Sequence, residues 1–192
     1  MFRTTFTNTV TTPIPPDVNP DIVIELLHNH RFLITMSPIV TRHSPATDGQ
    51  EAGGKITYDV WEDIDLLPFG WWKHEIHFTA AFTDKLNGEI SWVEAPLGFS
   101  SKADYTVRAA RQEDYDAGVY ADSDGGGGAM VLEEAIETSC SVVFKPFVEM
   151  TMVPVRQKMH AQVVERAWEI EYGGGGGPWG NGEGPDGRSA RP

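Results

Sequence analysis

The sequence predicts an α+β domain in which a curved antiparallel β-sheet wraps around a long C-terminal α-helix, with two short helices after the first strand. Three observations carry this. Apolar residues recur with period two through most of residues 2–144, one long stretch with helical period occupies 146–172, and a capped helix start follows a proline cluster near the N-terminus. Half-buried strands of this kind pair antiparallel and turn one apolar face to a single core. The terminal helix is the element large enough to cover that face.

The elements follow in order. "FRTTFTNTV" puts Phe2, Phe6 and Val10 on one face and threonines on the other. Behind "PIPPDVNP", Asn19 is a good N-cap and Pro20 a good first helical residue, and Ile22, Val23, Leu26 and Leu27 form one stripe. The helix stops at "LLHNH". Residues two apart on a helix are separated by about 200°, so His28 and His30 cannot ligate one ion from a continuous helix. Asn29 is expected in the left-handed C-terminal conformation, with His28 near the negative end of the helix dipole. His30-Arg31 then opens a second short helix, which leads through Ser37-Pro38 into the next strand.

"GKITYDVWED" alternates Ile56, Tyr58 and Val60 against Thr57, Asp59 and Trp61. In "WWKHEIHFTAAF" the set Trp72, His74, Ile76, Phe78, Ala80 and Phe82 opposes Trp71, Lys73, Glu75, His77 and Thr79. Asn87-Gly88 is a strong hairpin signal between this strand and "EISWVEA". "FSSKADYTVRAA" follows Pro96 and Gly98, and "MVLEEAIETSCSVVF" places Met130, Leu132, Ile136, Cys140, Val142 and Phe144 together. In the terminal helix Val155, Met159, Val163, Ala167 and Ile170 recur at helical spacing, and Pro154 predicts a kink or a helix start.

One domain over 1–172 is therefore expected, with a flexible acidic and glycine-rich loop at 114–129 and a disordered Gly/Pro-rich tail at 173–192. The four-glycine run has neither GxGxxG nor GxxxxGK[ST] and lies among aspartates, so it is read as a linker and not a phosphate cradle. A net charge of -13 argues against nucleic-acid and anionic-membrane partners. A single cysteine, Cys140, excludes an intramolecular disulfide and fits a reducing compartment. With no signal-peptide pattern and no run near the roughly 18 apolar residues of a membrane span, the expected location is cytoplasmic, without membrane insertion.

The order of elements over residues 1–172 resembles the helix-grip fold of the START/Bet v 1-like (SRPBCC) superfamily, which contains lipid-transfer domains, plant hormone receptors and polyketide cyclases. More narrowly, "TPIPPDVNPDIVIELLHNHRFLITMSPIV" is similar to the opening of a fungal family of uncharacterised small proteins built on that fold. The resemblance implies a hydrophobic ligand cavity between sheet and C-terminal helix. It also implies a place in a natural-product pathway, with pathway enzymes as possible partners. It transfers no catalytic motif.

Candidate chemistry lies in polar residues that interrupt apolar inward faces. His74 shares its face with Trp72, Ile76 and Phe78, and Glu134 interrupts Met130, Leu132 and Ile136. Tyr58 and Tyr105 lie among Ile56, Val60, Phe99 and Val107. A buried carboxylate should have a raised pKa and a buried histidine a lowered one. Such a pair, with Tyr105 stabilising an oxyanion, could move protons at carbon as a cofactor-independent cyclase or isomerase must. That enzyme is the alternative to the leading expectation, simple binding of a small apolar molecule (polyketide, terpenoid or lipid-like) by Tyr58, Trp72, Ile76, Phe78, Phe99, Met152 and Met159. His160 is expected to face solvent. Cys140 has no base or helix N-terminus to activate it as a nucleophile. His74 and His77, three apart on a strand, point to opposite faces, so no metal and no other cofactor is expected. The aromatic segment "LLPFGWW" (66–72) would serve as a lid over the pocket or as a protein–protein contact.

Overall fold

A computed structural model describes residues 2–37, 39–46, 54–65, 73–119 and 128–173, with backbone alone at 64, 65, 73, 74 and 97. Strand β1 (Arg3–Ile14) is followed by helices α1 (Pro20–His28) and α2 (His30–Thr35). Then come β2 (Val40–Pro45), β3 (Ile56–Asp65), β4 (Lys73–Lys85), β5 (Gly88–Ala95) and β6 (Phe99–Ala109). The short helix α3 (Gln112–Asp116), β7 (Met130–Ser141) and α4 (Lys145–Tyr172) complete the order. The strands form one seven-stranded antiparallel sheet in the order β1-β7-β6-β5-β4-β3-β2. Consecutive strands β2 to β7 are neighbours, and the chain closes on itself when β1 adds beside β7.

The core lies between the concave sheet face and α4, with α1 and α2 closing one end. Val10, Ile14, Val60, Phe78, Ala80, Phe82, Val107, Leu132 and Ile136 come from the sheet, Val23, Leu27 and Leu33 from the short helices, and Val163, Val164 and Ala167 from α4. Asn19 caps α1 as its side chain accepts from Asp21 N at 3.0 Å. The far end of α4 is tied to the same region, because Tyr172 donates to the Asp17 carbonyl at 2.7 Å and Asn19 N donates to Glu171 Oε2 at 2.7 Å.

Four local expectations are corrected. Asn29 is not left-handed; with φ -85° and ψ 77° it ends α1 and caps α2, accepting from Phe32 N at 3.1 Å. Phe2, just before β1, is exposed, and on β1 Thr12 is buried on the inner face, so the threonines do not all lie outside. β7 ends at Ser141, leaving Val142 and Phe144 exposed in the turn before α4. Helix α4 runs unbroken through Pro154, and its buried stripe is Met152, His160, Val163, Val164 and Ala167, while Val155 and Ile170 are exposed. The acidic stretch from residue 114 begins inside α3. There Asp114 accepts from Arg111 N at 2.6 Å and from Arg108 Nη1 at 2.7 Å, and Arg108 Nε also donates to Glu133 Oε2 at 3.1 Å. The rest of the loop (120–127), the tail from 174 and the segment 66–72 lie outside the described residues.

Gly88 shows how tightly the sheet is built beside the core. A Cβ placed there would sit 2.0 Å from the Tyr105 carbonyl oxygen on the neighbouring strand. Gly88→Ala is expected to cost about 2–4 kcal/mol in urea denaturation, because backbone must move to relieve the overlap.

Candidate functional site

The alternation of the strands brings polar residues into a row. Glu89 on β5 is the cross-strand partner of Tyr105 on β6, and Tyr105 is the partner of Glu134 on β7. All three are buried, with Glu89 and Glu134 fully so. Inward side chains on adjacent strands stand about 5 Å apart, so the row crosses the middle of the sheet. Asp84 on β4 extends it at one end, opposite Glu89.

Helix α4 lays two basic residues over the other end. His160 Nε2 lies 3.1 Å from Glu134 Oε2, and its Nδ1 lies 3.1 Å from Thr12 Oγ1 on β1. Arg156 Nη1 donates to the Tyr105 hydroxyl at 2.9 Å and forms an ion pair with Glu134 Oε1 at 3.2 Å, without hydrogen-bond alignment. Residues 156 and 160 are one helical turn apart and so share a face. His160, 1% exposed, therefore does not face solvent; it is among the most buried side chains of the protein.

These contacts set the protonation states. Burial, the largest influence, pushes the Glu134 carboxyl up, but the Arg156 charge and the His160 hydrogen bond outweigh it and hold the pKa below 4.5. The sequence expectation of a raised value is thus reversed, because a buried carboxylate with a guanidinium beside it is an ion pair. Arg156 is pulled down by burial yet held charged by Tyr105 and Glu134. Tyr105 is pushed well above 10 by burial, then by the Glu134 charge, and is a neutral phenol. Glu89 has no guanidinium beside it among the described residues and no hydrogen-bond partner: burial, then the charges of Asp84 and Glu134, raise it to about 9. Glu62 on β3, close enough to feel Arg156, is also raised by burial despite a Ser37 hydrogen bond.

Of the residues singled out from sequence, the structure brings Glu134 and Tyr105 together. His74 is placed by its backbone opposite Ile64 in the β3–β4 ladder, but its side chain, like all of Trp72, lies outside the described residues. Tyr58 and Phe78 are buried in the core, Ile76 packs against it, and Tyr58 meets Phe82 edge-on at 5.8 Å. Met152 is buried, its sulfur 3.6 Å from Thr138 Oγ1, whereas Met159 and Phe99 are half-buried. Arg156, Thr12 and Glu89 do not stand out in the sequence patterns, and His160 is misplaced by them. A signal for Arg156 and His160 is nonetheless present: they lie four and eight residues after Met152, on one helical stripe.

Comparison with solved structures agrees with this architecture. The truncated norcoclaurine synthase from Thalictrum flavum matches with a TM-score of 0.54 at 11% identity, over 91% of this chain and 98% of that one. TTHA0849 from Thermus thermophilus matches at 0.51 and 10% identity, over 87% and 99%. Ara h 8.0201 gives 0.49 at 9% identity, over 85% and 99%. The seven-stranded sheet gripping a C-terminal helix is the Bet v 1-like helix-grip fold. By sequence, the chain belongs to the family described as a domain of unknown function, DUF7053, whose model matches residues 3–169. No curated protein matches it in sequence.

Because the Glu134 pKa is depressed on folding, its ionic stabilisation is present above about 4.5, the unfolded value, and is lost as pH falls through the folded value. Arg156→Met leaves a buried carboxylate uncompensated and should cost about 3–5 kcal/mol at pH 7. Glu134→Gln should cost less and flatten the acid limb of the stability profile. Urea denaturation at neutral and acidic pH measures both. A loss below about 1 kcal/mol for Arg156→Met, the size of an exposed pair, would mean that this ion pair does not hold α4 to the sheet.

Proposed function

We propose that the protein binds a small, mainly apolar molecule carrying hydroxyl or carbonyl oxygens, held between the sheet and α4 against the Glu134–Arg156–Tyr105 cluster. The observation that carries this reading is the buried cluster itself. Among the described residues the hydrogen bonds of Arg156 run from Nη1 alone, and Glu134 Oε1 has no hydrogen-bond partner. A guanidinium donor and a carboxylate acceptor are therefore both left for a ligand oxygen, inside an aromatic and aliphatic surround that includes Tyr58, Phe78, Ile76 and Met152. Few, well-placed polar groups in an apolar setting are the ordinary make-up of a small-molecule site. Bet v 1-like proteins commonly take hydrophobic ligands, which supports the same reading.

The expected outcome is saturable binding of 1-anilinonaphthalene-8-sulfonate, followed by fluorescence. Arg156→Met should weaken it about tenfold, the worth of a charge-assisted hydrogen bond. Native mass spectrometry of freshly purified protein should show an added organic mass. If the dye does not bind, or binds the variant equally well, and the native mass is that of the bare chain, the reading fails.

A second reading, a cofactor-independent cyclase or isomerase, is favoured by the ionised Glu134 beside the neutral Tyr105. Glu134 would take a proton from the carbon next to a carbonyl. Tyr105 and Arg156 would stabilise the enolate oxygen, and the proton would return from Glu134 at a different carbon, or the enolate carbon would add to a second carbonyl, whose oxygen then takes the proton from Glu134. We place either activity in a fungal secondary-metabolite pathway as an accessory or tailoring step beside pathway enzymes, the setting the sequence resemblance supports. Deleting the gene should then accumulate a shunt product. Complementation with Glu134→Gln separates the two readings: unchanged product and stereochemistry would leave binding alone.

A further inference from the structure

We propose that His30, Asp84 and Glu89 form a binding site for a divalent cation of the zinc class. Three elements converge there. Asp84 and Glu89 are paired across the β4–β5 hairpin, and α2 aims His30 at both. His30 Nε2 is 2.9 Å from Asp84 Oδ1 and 3.7 Å from Glu89 Oε2, and the three donor atoms lie within 4.8 Å of one another. Donors this close together are near the spacing of ligands that share one ion at bonds of about 2.0–2.2 Å.

The independent sign is Glu89. Its side chain has no exposed surface, and neither carboxylate oxygen has a hydrogen-bond partner among the described residues. Buried polar atoms are almost always partnered, so an orphaned carboxylate calls for a missing group. That group should be a cation, since two acidic side chains converge on the same imidazole nitrogen. The neighbouring Lys85 does not supply it, because its ammonium is engaged with Asp104 and Thr106.

The surroundings hold the donors in place. The His30 ring is stacked on Phe82 at 4.8 Å and meets Tyr58 edge-on at 6.2 Å, which fixes its plane. His28 does not join the site. Its Nε2 lies 3.0 Å from the Lys85 carbonyl and 2.9 Å from the Gly88 carbonyl, bracing the turn between the two carboxylates. The Asp84 side chain is 46% exposed, which opens a path for the ion and room for a water ligand. One imidazole and two carboxylates, with a position left to solvent, form a donor set suited to zinc and its neighbours in the first transition row.

The test uses the metal alone and so stands apart from the apolar-ligand reading. The full chain, stripped with EDTA, is titrated with zinc chloride by calorimetry and with cobalt chloride by visible absorption. One saturable equivalent, a raised melting temperature and a cobalt ligand-field band with a nitrogen donor are expected. Glu89→Gln and Asp84→Asn should each weaken binding about tenfold or more, while His77→Gln, which removes the partner of Asp59 elsewhere on the sheet, should not. Asp84→Asn changes a half-exposed side chain and keeps the comparison valid if Glu89→Gln lowers the melting temperature. No saturable binding, unchanged affinity in Asp84→Asn, or loss in His77→Gln would each overturn the assignment.

Discussion

A carboxylate with no exposed surface can remain ionised at the centre of an apolar sheet only if a cation is brought to it. Glu134 is that carboxylate, and Arg156 of α4 is the cation. The pair fixes where the helix lies along the sheet, because sliding α4 by one turn would move Arg156 about 5.4 Å and strand both charges. His160, one turn on, reads the same position a second time and passes it to Thr12 on β1. The apolar contacts of Val163, Val164 and Ala167 hold the helix down without the directionality of an ion pair. Position comes from the polar contacts and adhesion from the apolar ones.

The row Glu89–Tyr105–Glu134 gives the interior an uneven electrical character. At the Glu134 end a guanidinium and an imidazole supply donors, and the carboxylate is charged. At the Glu89 end two carboxyl groups face one imidazole, and the buried one is left without a hydrogen bond. The two ends lie on the same inner face and differ in what surrounds them: α4 supplies two basic side chains to one, while α2 supplies one and β4 adds Asp84 at the other.

Much of this was legible in the sequence, and the exceptions have a common physical origin. Period-two patterning in β3, β4, β6 and β7 marked the strands, and polar interruptions of an apolar face exposed Glu134 and Tyr105. On a helix the same logic runs backwards. His160 is buried and Arg156 half-buried on the face that meets the sheet, so Val155 and Ile170 look like the apolar face although they are exposed. Glu89 follows an Asn-Gly turn, where an acidic residue is unremarkable, and Thr12 is one threonine among several. The His28–Asn29–His30 joint is recognisable as a helix boundary, but the partners of both histidines come from the β4–β5 hairpin, far along the chain. What sequence patterns miss here are polar contacts made across long separations.

The register that places β1 against β7, with Thr9 opposite Ala135, joins the two ends of the chain. Such a closure carries a loop entropy that rises only slowly with the sequence separation it spans. Thr12 waits on β1, Glu134 on β7 and His160 on α4, so the hydrogen-bonded series between them cannot exist until nearly the whole domain has been synthesised. The polar centre is thus complete only when β1, β7 and α4 are all in place.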